Sequence, residues 1–198
     1  MKKKTARAKT QKKTAHATTV QPKFLDPARV NAALSEVATA TRKDGVRVAL
    51  VGGVALQLYG SDRFTTDLDV VASGYPDPDG ALPAKGVLTF GGVQSEASNG
   101  VPVDLIIRDD ERTDLYDAAL ENAQRMPGVP VPVVTLPYLG AMKLASGRAK
   151  DIQDLEFILR SNPKMFKQIR KLVTKYLGEF EAEELDSIQS TVEWKESA

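Results

Sequence analysis

The sequence has no cysteine and only one histidine, and both features limit the chemistry available to the chain. Without cysteine, disulfides and thiolate metal sites are excluded, which is compatible with a reducing cytoplasm. His16 lies in a polar N-terminal stretch, so catalysis by histidine is not expected. Any catalysis must therefore use carboxylates, hydroxyls, lysines or a bound metal ion.

Long apolar runs are also missing, and none could cross a bilayer. The N-terminal stretch lacks the apolar segment of a secretory signal. The hydrophobic fraction of 42% is typical of a soluble globular protein, and 198 residues suffice for one core with a small helical appendage. We therefore expect a soluble, cytoplasmic protein without a membrane partner.

Acidic residues are absent from the first 23 positions, which contain eight lysines and arginines. Because the whole chain has a formal charge of +1, removing these eight charges leaves −7 for residues 24–198. We expect residues 1–24 to form a disordered basic arm, since lysine, threonine and alanine bury too little surface to order it. Such an arm could bind RNA, DNA or another polyanion. A solubilising tail, an expression remnant and a transit peptide are the alternatives.

The folded part of the chain is predicted to start with a helix, for which Asp26 is a candidate N-cap and Pro27 fits the first position. The next segment, VRVALV, predicts a buried strand that ends at Gly52 and Gly53, and VALQLYG predicts a short helix ended by Gly60. Glycines allow the backbone to approach a ligand closely, and a helix N-terminus suits phosphate. A simple tight turn is the alternative explanation of the glycine pair.

Three acidic residues stand in predicted strands. Asp67 and Asp69 belong to TDLDVV, where residues two apart point to the same face, and Asp104 interrupts the apolar strand VPVDLIIR. Carboxylates that converge in this way favour a bound cation, and oxygen ligands favour Mg²⁺ or Mn²⁺. The three acids together predict a metal site. Alternatively, Asp67 is a turn residue, Asp69 pairs with Arg63, and Asp104 lies at an exposed sheet edge.

The stretch GGVALQLYGSDRFTTDLDVV resembles the signature of the nucleotidyltransferase superfamily related to DNA polymerase beta. In that signature a glycine pair opens a helix, and two acids separated by one residue follow. GG followed by ALxLYG and RFTTDLD is similar to the AbiEii-like branch, found among type IV toxin–antitoxin and abortive-infection proteins. VPVDLI resembles the strand of the third carboxylate, and LPYLGAMKLASGRAKDIQDLEFIL resembles the downstream helices of that branch. Thr66 departs from the pattern, because many relatives have lysine there.

The resemblance implies an α/β fold with a small twisted mixed sheet, flanking helices and a helical C-terminal appendage. It implies transfer of a nucleoside monophosphate from a nucleoside triphosphate (NTP) to a hydroxyl. Asp67, Asp69 and Asp104 would be the catalytic residues and would hold two divalent ions, with Asp104 on the ion that activates the attacking hydroxyl. Gly52 and Gly53 would cradle the triphosphate through backbone amides.

Four further residues are candidates for nucleotide binding. Arg63 and Thr65 lie beside the acids and could contact phosphate, although a salt bridge and a hydroxyl at the start of a strand are equally good explanations. By resemblance, Lys143 contacts the nucleotide phosphates and Asp151 closes the site by pairing with a base. For Lys143 and for Asp154, which shares a helical face with Asp151, the alternative is an ordinary solvated helix face.

We divide the chain into the basic arm (1–24), a nucleotidyltransferase domain (25–160) and a C-terminal helical hairpin (161–198). Three acceptors stay open: the 3′ end of an RNA such as tRNA, a protein hydroxyl, or a small molecule such as an antibiotic. The basic arm favours RNA, and the resemblance also implies an antitoxin protein as a partner. The alternative function is a non-catalytic interaction protein that retains the fold and binds nucleic acid.

Overall fold

A computed structural model of the chain describes residues 25–77 and 80–197. Within these residues the fold is α/β, with a five-stranded mixed sheet and seven α-helices. The fold class predicted from the sequence is therefore confirmed, whereas the basic arm predicted for residues 1–24 lies outside the described part. Among the described helices, none combines the length and the apolar character needed to cross a membrane.

The strands are β1 (Val48–Leu50), β2 (Leu68–Ala72), β3 (Gly86–Val87), β4 (Gly92–Glu96) and β5 (Pro102–Ile106). The helices are α1 (Pro27–Lys43), α2 (Gly52–Leu58), α3 (Thr113–Glu121), α4 (Leu136–Ser146), α5 (Ala149–Ser161), α6 (Phe166–Tyr176) and α7 (Glu179–Ser197), with a 3₁₀ turn at Pro163–Met165.

The sheet has the strand order β1-β2-β5-β4-β3. Strands β2 and β5 are parallel neighbours near its centre, and the other three pairings are antiparallel. Strand β5 is flanked by β2 on one side and by β4 on the other, so Asp104 does not lie at a sheet edge as one alternative held. The centre of the sheet therefore carries two of the predicted acids.

Helix α1 begins as its sequence predicts. The carboxylate of Asp26 accepts a hydrogen bond from the backbone N–H of Arg29 at 2.9 Å, and Pro27 occupies the first helical position. The apolar residues at helical spacing are buried in the core: Val30, Ala33, Leu34 and Val37. The helix thereby contributes its apolar face to the hydrophobic core.

The C-terminal segment forms two helices, α6 and α7, which meet at Gly178, as the sequence predicts. Gly178 has a φ of +116°, a conformation that favours glycine. Ile169 of α6 is buried against α4, where Gly140 leaves room for it. The basic α6 and the acidic α7 are joined by an ion pair between Arg170 and Asp186, at 2.9 Å.

Candidate active site

The structure brings the three predicted acids together. Each of Asp67, Asp69 and Asp104 can offer one carboxylate oxygen such that the three oxygens lie within 4.8 Å of one another. Asp69 of β2 and Asp104 of β5 are direct partners in the parallel register, and Asp67 immediately precedes β2. All three are partly buried. Three converging carboxylates are the oxygen-only donor set that suits Mg²⁺ or Mn²⁺.

The alternative explanations of these acids are only partly correct. Asp67 does lie in a bend before its strand, as the turn explanation held. Asp69, however, does not pair with Arg63, because the guanidinium of Arg63 forms an ion pair with Asp154 instead. The acids therefore face one another without that cation between them, which makes a cation site a better explanation than isolated surface charges.

Thr65 supports the first acid from a buried position. Its hydroxyl donates a hydrogen bond to the Oδ1 atom of Asp67 at 2.8 Å. A hydroxyl that donates to one carboxylate oxygen holds the other oxygen in a defined direction. The contact agrees with the explanation of Thr65 as a hydroxyl at the start of the strand, and it gives this hydroxyl a place beside the three acids.

The glycine pair lies against the same acids. A side chain at Gly52 would place its Cβ only 1.8 Å from the Oδ2 atom of Asp69, and Gly52 also has a φ of +67°. A Cβ at Gly53 would lie 2.9 Å from the side chain of Thr65. Helix α2 starts at Gly52 itself, so the prediction of a separate glycine turn before the helix was wrong. The glycines are needed because the first helical turn packs directly on the carboxylates.

The electrostatic environment of Asp69 and Asp104 disfavours their ionised forms. Burial, together with the charges of Asp67 and Asp104, raises the pKa of Asp69 from 3.8 to about 6. Burial and the charge of Asp67 also raise the pKa of Asp104, while a hydrogen bond from Gln94 and the charge of Lys150 act in the opposite direction. A divalent cation would neutralise these charges, so the residues present fit a metal ion.

A second cluster of charges lies beside the acids, and we call it the buried ion-pair network. The Lys143 ammonium lies 2.9 Å from Oδ1 of Asp151 and 2.7 Å from Oδ2 of Asp154. At its two ends, Arg148 pairs with Asp151 and Arg63 pairs with Asp154. The network joins α4, α5 and the segment before β2 through four ion pairs.

The network overturns the explanation of these residues as a solvated helix face. The exposed fractions are 8% for Lys143, 0% for Asp151 and 5% for Asp154. Burial raises the pKa of Asp151, but hydrogen bonds from Arg148 and Lys143 more than offset this and hold its pKa below the usual range. Asp151 therefore closes this part of the site by accepting from basic groups within the chain.

A cavity of about 190 Å³ is shared by the acids and the network. Sequence reasoning missed several residues that line it, among them Phe90, Tyr116 and Met142. The Arg108 guanidinium lies 5.2 Å from the centroid of the Tyr116 ring, which shows that Arg108 packs on the wall of the cavity. The basic residues that line the cavity are Arg63, Arg108, Arg112, Lys143, Arg148 and Lys150.

No protein-family model and no curated protein matches the chain. Distantly similar solved structures do exist. One is an antigenic nucleotidyltransferase-like protein from Paracoccidioides brasiliensis, with 18% identity over 85% of this chain and 95% of that chain and a TM-score of 0.44. Another is the antibiotic-resistance factor ANT(2'')-Ia, with 13% identity over 87% of this chain and 95% of that chain and a TM-score of 0.44. A proposed nucleotidyltransferase from H. pylori shares 18% identity over 86% of this chain and 97% of that chain, with a TM-score of 0.43.

Proposed function

We propose that the protein is a metal-dependent nucleotidyltransferase that transfers a nucleoside monophosphate from an NTP to a hydroxyl of an acceptor. The observation that carries this proposal is the convergence of Asp67, Asp69 and Asp104, whose carboxylate oxygens lie within 4.8 Å of one another at the parallel strands β2 and β5. Helix α2 packs against Asp69 through Gly52. The charges of the three acids repel one another unless a cation is bound, and their oxygens are the ligands that Mg²⁺ and Mn²⁺ prefer.

In the proposed reaction the acceptor oxygen forms a bond with the α-phosphorus, and the bond to the bridging oxygen of pyrophosphate breaks. Asp67 and Asp69 would hold two divalent ions, and Asp104 would bind the ion nearest the acceptor hydroxyl. When bound, such ions lower the pKa of the hydroxyl and neutralise the leaving pyrophosphate. The protein contributes position and charge, as in other phosphoryl-type transfers.

The neighbouring residues have supporting parts in this proposal. Gly52 and Gly53 have no side chains of their own, so their backbone amides could approach the triphosphate closely. Thr65 would hold Asp67 in place through its 2.8 Å hydrogen bond. Arg63 would act from the network, through its ion pair with Asp154, rather than as a free cation.

The contacts of Lys143 and Asp151 indicate a structural role for both residues. Lys143 is held by two carboxylates, and both Lys143 and Asp151 are buried. We therefore assign to the pair the support of the wall of the cavity that they share with the three acids. This support would keep α5 against α4 while the substrates exchange.

The proposal extends to the branch of the family, the protein partner and the acceptor. By resemblance, the protein would be an AbiEii-like, cytoplasmic toxin with an antitoxin partner, and its acceptor would be RNA such as tRNA, a protein or a small molecule. The basic N-terminal sequence favours RNA. A non-catalytic protein that binds nucleic acid is less favoured, because it would have no physical reason to hold three costly acids together.

Incubation of the protein with each α-³²P-labelled NTP, Mg²⁺ and either total RNA or cell lysate tests the proposal. We expect label in one acceptor class, no label when EDTA replaces Mg²⁺, and no label with the Asp69→Asn variant. Binding of RNA without any transfer of label from any of the four nucleotides would support the non-catalytic alternative instead.

A further inference from the structure

The basic residues of the cavity differ in whether they have a carboxylate partner. Arg63, Lys143 and Arg148 are held by the carboxylates of the buried ion-pair network. Arg108 pairs with Asp110 and packs over Tyr116. Arg112 lies 3.9 Å from its neighbour Glu111. Five of the six cations that line the cavity therefore have a carboxylate partner within the chain.

Lys150 is the sixth cation, and it differs from the others. It is exposed, and within residues 25–77 and 80–197 it forms no ion pair and no side-chain hydrogen bond. It nevertheless lines the same cavity as the three acids. Within the described residues, Lys150 is thus the cavity cation that has no carboxylate partner, and it lines the same cavity as the candidate metal ligands.

The stability of helix α5 does not explain this lysine. Lys150 is the second residue of α5, which begins at Ala149. The N-terminus of a helix carries partial positive charge, so a cation in the first turn is unfavourable there. The next residue, Asp151, has the charge that suits this position and is fully buried in the network. Lys150 therefore lines the cavity from a position at the start of α5 where an uncharged or acidic residue would favour helix formation.

We infer that Lys150 binds the phosphates of the donor nucleotide, and that Lys143, for which the family resemblance implies this contact, holds the network together instead. The inference rests on the proposed function and assigns one residue of its substrate site. A triphosphate at the three acids would lie beside Lys150, whose ammonium can offer three hydrogen-bond donors.

The physical chemistry favours the exposed lysine over the buried one. Lys150 would exchange water for phosphate oxygens, and hydrogen bonds between charged groups are among the strongest in proteins. Lys143 would have to break its contacts with both Asp151 and Asp154, and so lose two hydrogen bonds between charged groups in the interior. The same lysine cannot serve both roles without that cost, so the phosphate contact falls to Lys150.

Calorimetric titration with Mg²⁺-pyrophosphate and with the Mg²⁺-NTP that supports labelling tests the inference. We expect Lys150→Met to weaken both affinities by about tenfold, as the loss of one charge-assisted hydrogen bond would. Lys150→Arg should recover most of the affinity, because it retains the charge. Lys167→Met removes an exposed lysine of α6 outside the cavity and is the matched control, which should bind like the wild type.

Two results would overturn the inference alone: wild-type affinity for pyrophosphate in Lys150→Met, or an equal loss in Lys167→Met, which would indicate a general effect of charge. A wild-type protein that binds neither pyrophosphate nor any NTP would overturn the proposed function as well. Thermal unfolding of each variant checks the fold. Because a cation is unfavourable at a helix start, Lys150→Met should unfold at or slightly above the wild-type temperature.

Discussion

Asp69 and Asp104 are direct partners across the parallel pair β2–β5, so their side chains leave the same face of the sheet next to each other. Asp67, one residue before β2, completes the group. This register concentrates negative charge at one point of the sheet, and the properties of that point can be measured in the absence of any substrate.

Replacement of Asp69 by asparagine should separate activity from stability. We expect Asp69→Asn to lose transfer activity, because a ligand of the proposed metal is gone. Without metal at pH 7.5, the variant should be more stable than the wild type by up to about 3 kcal/mol, the free energy that corresponds to a pKa raised to about 6. Urea unfolding in EDTA measures the stability, and full transfer activity in this variant would end the proposal of a metal site.

The stability of the wild-type protein should fall as the pH rises, in the absence of divalent ions. The pKa of Asp69 rises from 3.8, its value in an unfolded chain, to about 6 in the folded protein. The folded state therefore binds the proton more tightly than the unfolded state. The penalty is absent below about pH 4, grows between about pH 4 and pH 6, and is nearly complete above pH 6. Asp104 contributes in the same direction. Unfolding temperatures measured in EDTA from pH 4.5 to 7.5 should show this decline relative to Asp69→Asn, and Mg²⁺ at pH 7.5 should reverse it.

Asp104→Ala should affect chemistry more than binding. Its proposed place is at the ion that activates the attacking hydroxyl, so we expect the transfer rate to fall by roughly a hundredfold or more. The affinity for the NTP should change much less, since other residues hold the triphosphate. Single-turnover rates and calorimetric NTP titrations give the two numbers. Equal losses in rate and in binding would show that Asp104 has a structural role.

Lys143→Met should destabilise the fold. The substitution removes two buried hydrogen bonds between charged groups but leaves Asp151 paired with Arg148 and Asp154 paired with Arg63, so we expect a loss of about 2 kcal/mol. The exposed control Lys167→Met should change the free energy of unfolding by less than about 0.5 kcal/mol. Urea unfolding provides the comparison. A Lys143→Met protein as stable as the control would argue against a structural role for this lysine.

Deletion of residues 1–23 should act on the acceptor alone if the acceptor is a polyanion. The deletion removes eight basic residues, so fewer counterions are released on binding. We expect a higher KM for the acceptor and a flatter dependence of that KM on salt, with unchanged NTP affinity and unchanged turnover at saturating acceptor. Identical salt dependence in both proteins would favour a protein or small-molecule acceptor.

The acids can be found in the sequence because their signal is local. A strand places residues two apart on one face, and a charge within an apolar strand is conspicuous, so the residue pattern alone marks Asp67, Asp69 and Asp104. Strands β3 and β4 were not predicted. Their residues are few and mostly polar or glycine, and their pairing with β5 depends on contacts that no short pattern encodes.

The buried ion-pair network could be predicted only in part. The spacing of Asp151 and Asp154 places both on one helix face, and Leu155 and Ile158 continue the same stripe. That continuity was an available signal that the acids face the core. The partner Arg63 lies 91 residues away from Asp154, so no local pattern could have joined them.

The contact between Gly52 and Asp69 also constrains how this protein can evolve. A methyl group at position 52 would lie 1.8 Å from the carboxylate, at a backbone φ of +67° that already favours glycine. A lineage that acquired a larger residue at position 52 would therefore have to shorten or displace the acid, or rebuild the start of α2. The start of α2 and the carboxylate of Asp69 occupy adjoining space. A substitution at position 52 would therefore disturb the helix start and the candidate ion site together.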